Sequence, residues 1–140
     1  MHYLDTSVLV AFYLPEPMSA KVQERCSAME ALVVSGLSEV EFHSALARRV
    51  RMNELSKDDA LRVFSLFKLH LDEGFYRMIG LEPRDFALAR DWLATFRAPL
   101  RTLDALHLAV AFSNRLSLVT ADRVLAKSAK TFGVKQELVS

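Results

Sequence analysis

Arg101-Thr102-Leu103-Asp104-Ala105-Leu106-His107-Leu108-Ala109-Val110-Ala111-Phe112 is apolar nearly all the way round a helix, with one carboxylate in its first turn. A helix of that composition packs inside a protein rather than on its surface. Thr102 fits its N-cap position, and Pro99 marks the loop that leads into it. Asp104 is therefore expected to point inward or to the floor of a cleft, where a charge is costly unless it is paired. Two partners fit: Arg101, three residues earlier, or a metal ion shared with other acids.

Working outward, short apolar runs alternate with amphipathic ones. His2-Tyr3-Leu4 reads as a strand, Asp5-Thr6-Ser7 as an acidic turn, and Val8 to Tyr13 as a short helix that ends before Pro15 and Pro17. Val22, Cys26 and Met29 recur at helical spacing within 18–29, and Leu32 to Ser35 reads as a second strand with Gly36 as its turn. Ser38-Glu39-Val40-Glu41-Phe42 opens a third helix, which ends in the basic cluster Arg48, Arg49 and Arg51. Ser56-Lys57-Asp58-Asp59 starts a fourth helix running to about Asp72. Phe75 to Ile79 reads as a strand, Pro83 opens a fifth helix, and the helix of Asp104 is the sixth. Leu116 to Thr120 is a further strand, and a last helix after Ala121-Asp122-Arg123 is closed by Gly133, with Val134 to Val139 as a possible edge strand. This alternation predicts an α/β fold over residues 1–140 as a single domain: a three-layer α/β/α sandwich with a mainly parallel sheet of four or five strands.

Composition sets bounds. The 140 residues suffice for one full core, and a hydrophobic fraction of 51% leaves apolar surface for a partner. No run approaches the roughly 18 apolar residues of a membrane span. The apolar start is interrupted by Asp5 and lacks a basic leader, so a cytoplasmic protein without membrane association is expected. The single cysteine, Cys26, reads as a small buried hydrophobe. With a net charge of +1, nucleic-acid binding would have to come from a local basic patch.

In open parallel sheets the carboxyl ends of the strands form the ligand crevice. Asp5 ends the first strand, Asp122 follows the strand before the last helix, and Glu41 is expected in the first turn of the helix after the second strand. Asp104 joins them if its helix begins at that edge. Four acids from distant segments around one small space call for a hard divalent cation, and oxygen ligands favour magnesium or manganese. Each acid also has a capping interpretation: Asp5 and Asp122 suit N-caps, and Ser38 with Glu41 suits a capping box. Glu39 points away from Glu41, since residues two apart do not share a helix face.

His107, one turn from Asp104, is either a general base or a packed histidine with one hydrogen bond. Thr6 and Ser7 either support the metal ligands or cap the first helix. Arg101 and Arg123 neighbour candidate ligands and suit phosphate contacts, joined by part of the cluster Arg48, Arg49 and Arg51. The fourth helix carries more apolar residues than one core-facing stripe needs. Its Phe64 and Phe67, with Phe42 and Leu46 of the third helix, outline a groove for an amphipathic segment of another chain.

Leu4-Asp5-Thr6-Ser7, Glu41 before Ala45-Leu46, Leu100 through Ala109, and Thr120-Ala121-Asp122 together resemble the four acidic motifs of the PIN-domain nucleases. With the short length, they are similar to VapC toxins of bacterial toxin-antitoxin pairs. The resemblance implies a parallel sheet flanked by helices, magnesium- or manganese-dependent RNA cleavage, homodimerisation and inhibition by a VapB-type antitoxin. By motif, it makes Asp5, Glu41, Asp104 and Asp122 the metal-site acids and Thr6 the hydroxyl after the first. Two other classes are compatible with strand-end acids. A receiver-like signalling domain needs a phosphoacceptor aspartate at the end of its third strand, where Met78-Ile79-Gly80 offers none, and a non-catalytic RNA-binding module gives no reason for converging acids.

Overall fold

The computed structural model describes residues 1–140. Its elements in chain order are β1 (His2–Leu4), α1 (Thr6–Tyr13), α2 (Ser19–Ser27), β2 (Leu32–Ser35), α3 (Gly36–Arg51), α4 (Lys57–Asp72), β3 (Tyr76–Ile79), α5 (Pro83–Leu93), α6 (Thr102–Ser113), β4 (Ser117–Thr120), α7 (Arg123–Thr131) and β5 (Gln136–Leu138). Five strands form one sheet in the order β3-β2-β1-β4-β5, and every pairing is parallel. The edge strand after Gly133 is present but short.

The central strands are apolar on both faces because both are covered. Leu4, Leu32, Val34 and Val119 pack with Val8, Val22, Phe42, Leu46 and Phe67 from α1 to α4. Tyr3, Val33 and Leu118 face the other way, against Leu108, Val110 and Leu125 of α6 and α7. Strand alternation thus sorts neighbouring residues into two cores, giving the three layers. Ala89 of α5 adds a smaller cluster against Ala105 and Ala109 of α6, where small side chains permit close helix approach. Cys26 is buried and unpaired, as expected. No helix is long and apolar enough to cross a membrane.

Three sequence expectations are corrected. The chain does not turn at Gly36: β2 runs directly into α3, whose N-cap is Ser35. Ser35 Oγ accepts from the Ser38 amide and Ser38 Oγ accepts from the Ser35 amide, a serine-for-glutamate version of the capping box. The helix therefore starts about one turn before Ser38, and Glu41 stands in its second turn rather than its first. Likewise Thr102 is the first residue of α6 rather than its cap; Arg101 holds the cap position, and its amide donates to Asp104 Oδ2 at 3.3 Å. The expected groove also changes. Phe42, Leu46 and Phe67 are fully buried within the core, so no partner reaches them, because α1 and the sheet already cover that face. Phe64 stays half-buried, stacked on His43 at 4.2 Å, beside a depression that Glu39 and Lys68 also line.

Ser35 stabilises both a helix end and, through Tyr3, a buried polar cluster. Ser35→Ala is expected to lower unfolding free energy by about 1–2 kcal/mol in urea titration, near the upper end for removal of a cap. Ser56→Ala, an exposed cap at the start of α4, is expected to lose less. Equal losses at the two positions would contradict the buried role of Ser35.

Candidate active site

The strand order reverses beside β1: the chain proceeds outward through β2 and β3, then returns to place β4 on the other side of β1. The carboxyl ends of β1 and β4 therefore lie at the switch point where such sheets bind ligands. Asp5 directly follows β1 and Asp122 follows Thr120, the last residue of β4.

Asp5 is 4% exposed and caps α1. Its Oδ1 accepts from Ser7 Oγ at 2.6 Å and from the Val8 amide at 3.1 Å, and its Oδ2 accepts from Thr120 Oγ1 at 2.6 Å. Burial pushes the carboxyl up from the ordinary aspartate range, and the bonds from Ser7, Thr120 and Val8 only partly offset it. Thr120 Oγ1 also accepts from the Asp122 amide at 3.0 Å, while Ser7 Oγ accepts from the Ala121 amide at 3.1 Å. Two small hydroxyl side chains thus tie the start of α1 to the turn that carries Asp122. Asp122 caps α7 by accepting from the Val124 and Leu125 amides through Oδ1 and is itself exposed. The capping and site interpretations of Asp5 and Asp122 are therefore compatible: the cap fixes the carboxylate at the sheet edge.

Glu41 reaches the same edge from α3. Its Oε1 accepts from Thr6 Oγ1 at 3.1 Å and from His107 Nε2 of α6. Glu39 lies instead toward α4, where it lines the depression beside His43 and Lys68. His107 is buried and bonded at both ring nitrogens, its Nδ1 lying 2.7 Å from the Tyr3 hydroxyl. Tyr3 also meets Ser35 Oγ at 2.8 Å and Ser38 Oγ at 3.2 Å. Burial, reinforced by the charges of Glu41 and Asp5 and opposed by the serine bonds, pushes the phenol up to about 12, so it remains a neutral hydroxyl. An ionised carboxylate only accepts, which makes Nε2 the donor to Glu41 and leaves Nδ1 to accept the Tyr3 proton in the neutral imidazole.

Asp104 stands apart. Its side chain is 30% exposed, and its only cationic neighbour is Arg101 Nε at 3.9 Å, on a side chain 92% exposed. It sits one turn before His107 on α6, and so is linked to Glu41 through that helix rather than by a bond. Arg123 is exposed at the first position of α7. Arg48 and Arg51 lie exposed near the far end of α3, where Arg49 is paired with Glu16.

Hard oxygen donors make up this set, which suits magnesium or manganese chemically. Glu41 Oε2, Asp104 Oδ1 and Asp122 Oδ2 accept no bond within the chain. As the side chains are placed, no three acids or histidines gather closely enough to hold an ion. The structure links the segments of Asp5 and Asp122 through Ser7 and Thr120, bonds Glu41 to Thr6 beside Asp5, and leaves Asp104 at the rim. Sequence reasoning treated Tyr3 only as a strand residue, named Thr120 in the Thr120-Ala121-Asp122 motif without giving its hydroxyl a role, and gave His107 one bond where it has two. The available signal was the threefold spacing from Asp104 to His107, which puts both on one helix face.

The fold matches several solved structures. FitAcB from Neisseria gonorrhoeae superposes with a TM-score of 0.70 at 18% identity, over 97% of this chain and 96% of that one. VapC20 from Mycobacterium tuberculosis, described as a toxin that cleaves the sarcin-ricin loop, gives 0.73 at 15% identity, over 91% of this chain and 95% of that one. VapBC2 from Rickettsia felis, solved on a promoter DNA fragment, gives 0.72 at 14% identity over 100% of both chains. These identities establish likeness of fold. No curated protein matches in sequence. The PIN domain profile, in contrast, matches residues 2–130. Its span takes in Asp5, Glu41, Asp104 and Asp122, and the chain belongs to the PIN domain family.

Proposed function

We propose that the chain is a magnesium- or manganese-dependent endoribonuclease, the toxin of a type II toxin-antitoxin pair, acting in the cytoplasm. The observation that carries this is the placement of Asp5 and Asp122 at the switch point of a PIN-family sheet, where Thr120 bonds the Asp5 carboxylate and the Asp122 amide and Thr6, next to Asp5, bonds Glu41. Asp5, Glu41, Asp104 and Asp122 would hold the ion. A hard divalent cation supplies a nucleophilic water at neutral pH and a charge partner for phosphate oxygens.

The chain's own residues prepare that chemistry. Thr6 and His107 hold Glu41 by one oxygen and leave the other free. Ser7 and Thr120 fix Asp5 so that its charge stays at the edge despite burial. Arg101 and Arg123 neighbour the acids and offer guanidinium groups to the scissile phosphate, with Arg48 and Arg51 exposed farther along α3 for the strand and Arg49 between them held by Glu16. The partner reading draws on FitAB and VapBC complexes among the similar folds. A VapB-type antitoxin would cover exposed apolar surface on α3 and α4, where Val40 is 67% and Leu61 51% exposed and Phe64 is half-buried. A homodimer completes the assembly implied by the family resemblance.

Purified, partner-free protein incubated with total cellular RNA is expected to create discrete new ends in magnesium or manganese and none in EDTA. Asp104→Asn should remove them. Ends that persist in EDTA, or in the variant, would contradict the metal-site assignment.

His107 acts through Glu41 and is a positioning residue. Loss of a partner that orients a ligand typically costs about 10–100-fold in metal affinity or activity. His107→Ala should therefore weaken manganese binding, read by calorimetry, by about tenfold and lower cleavage at least as much. His107→Gln, which restores an N–H donor toward Glu41, should recover part of both. Unaltered manganese binding in a folded His107→Ala variant would remove it from this role.

A further inference from the structure

One face of α7 leads away from the acids as a row of unpaired cations. Arg123, Lys127 and Lys130 are spaced i, i+4 and i+7, which places them on the same side of the helix, about 6 and 10 Å along its axis from the first. All three are exposed. They line one depression of about 260 Å³ together with Ala126, Gln136 and Leu138, and no acidic side chain borders it. Strand alternation explains the missing acid. Gln136 and Leu138 of β5 turn toward α7, while Glu137 between them turns to the opposite face and pairs with Arg25 of α2. The chain's other exposed arginine cluster differs in this respect. Arg48 and Arg49 share their depression with Glu54, and Arg49 is engaged by Glu16.

A whole-chain charge of +1 gives no general attraction to a polyanion, so an uncompensated row of three charges dominates its surroundings. Its first member directly follows Asp122. We propose that this face of α7, with Arg123, Lys127 and Lys130, is the track along which the phosphates of single-stranded RNA run from the acidic site toward the far edge of the sheet. A backbone-following row of cations suits a single strand held without base readout. The track rests on the ribonuclease reading for its substrate, yet its binding is measurable without cleavage.

The test is fluorescence anisotropy of a labelled uridine oligonucleotide in EDTA, across a potassium chloride series. Wild type is compared with the double variant Lys127→Gln/Lys130→Gln and with the control Lys57→Gln, whose charge is removed at the exposed start of α4. The slope of log affinity on log salt should fall by about 0.7 for each phosphate that is no longer neutralised, roughly 1.4 for the double variant. Lys57→Gln should keep the wild-type slope. A wild-type slope in the double variant, an equal fall in Lys57→Gln, or no salt-dependent binding by wild type would overturn the track. So would tighter binding of duplex DNA with the same dependence on Lys127 and Lys130. A reduced slope in the double variant, with no cleavage by wild type in magnesium, would keep the track and reject the nuclease. Cleavage by wild type with an unaltered slope in the double variant would do the reverse.

Discussion

Everything at the carboxyl edge depends on Asp5, a carboxylate buried at the end of the central strand with no lysine or arginine bonded to it. Burial of a charge is tolerated only when hydrogen bonds or a counter-charge replace water. Here three donors do so, from Ser7, Val8 and Thr120, and they come from two segments far apart in the chain. Satisfying Asp5 therefore also joins β1 to β4 and sets the position of Asp122. The remaining cost appears in its raised carboxyl pKa. A raised value means that ionisation opposes folding as pH climbs past the unfolded carboxyl range, and a bound cation would offset that opposition.

The second support is the ring of polar groups around Tyr3. Ser35 at the end of β2 and Ser38 of α3 hold its hydroxyl, His107 holds it from α6, and His107 in turn holds Glu41 back on α3. Two helices on opposite faces of the sheet are thereby locked through one strand residue. A fully bonded buried network rigidifies its members, whereas a half-satisfied one is costly. Glu41 gains a fixed orientation without an arginine that would neutralise it. This is the arrangement expected of an acid kept for a ligand from outside the chain.

Much of this is legible in the sequence, and the exceptions share a cause. Alternating apolar strands and amphipathic helices imply the three layers, and Asp5 and Asp122 stand at the carboxyl ends of their strands as the sequence predicts. A helix start at Ser38 fails because Ser-x-x-Glu matches the capping pattern, while Ser35-x-x-Ser38 fills the same roles with shorter side chains. Phe42, Leu46 and Phe67 suggest a groove because helical spacing reveals an apolar face without revealing what covers it. Burial by α1 and the sheet is a tertiary fact. The bonds of Tyr3 and Thr120 escape notice for the same reason: their polar atoms acquire partners 104 and 115 residues away, separations that no local pattern encodes.

The central claim is that Asp5 is buried for a cation rather than for the fold. Urea unfolding of wild type and Asp5→Asn, each in EDTA and in magnesium, tests it most directly, because Asn keeps the capping oxygen while removing the charge. In EDTA the variant should be as stable as wild type or more so. At a hundredfold excess of magnesium over its dissociation constant, wild type should gain about 2.7 kcal/mol and the variant clearly less. An equal magnesium gain in both proteins, or a large drop in stability for Asp5→Asn in EDTA, would contradict the account and leave Asp5 a structural cap.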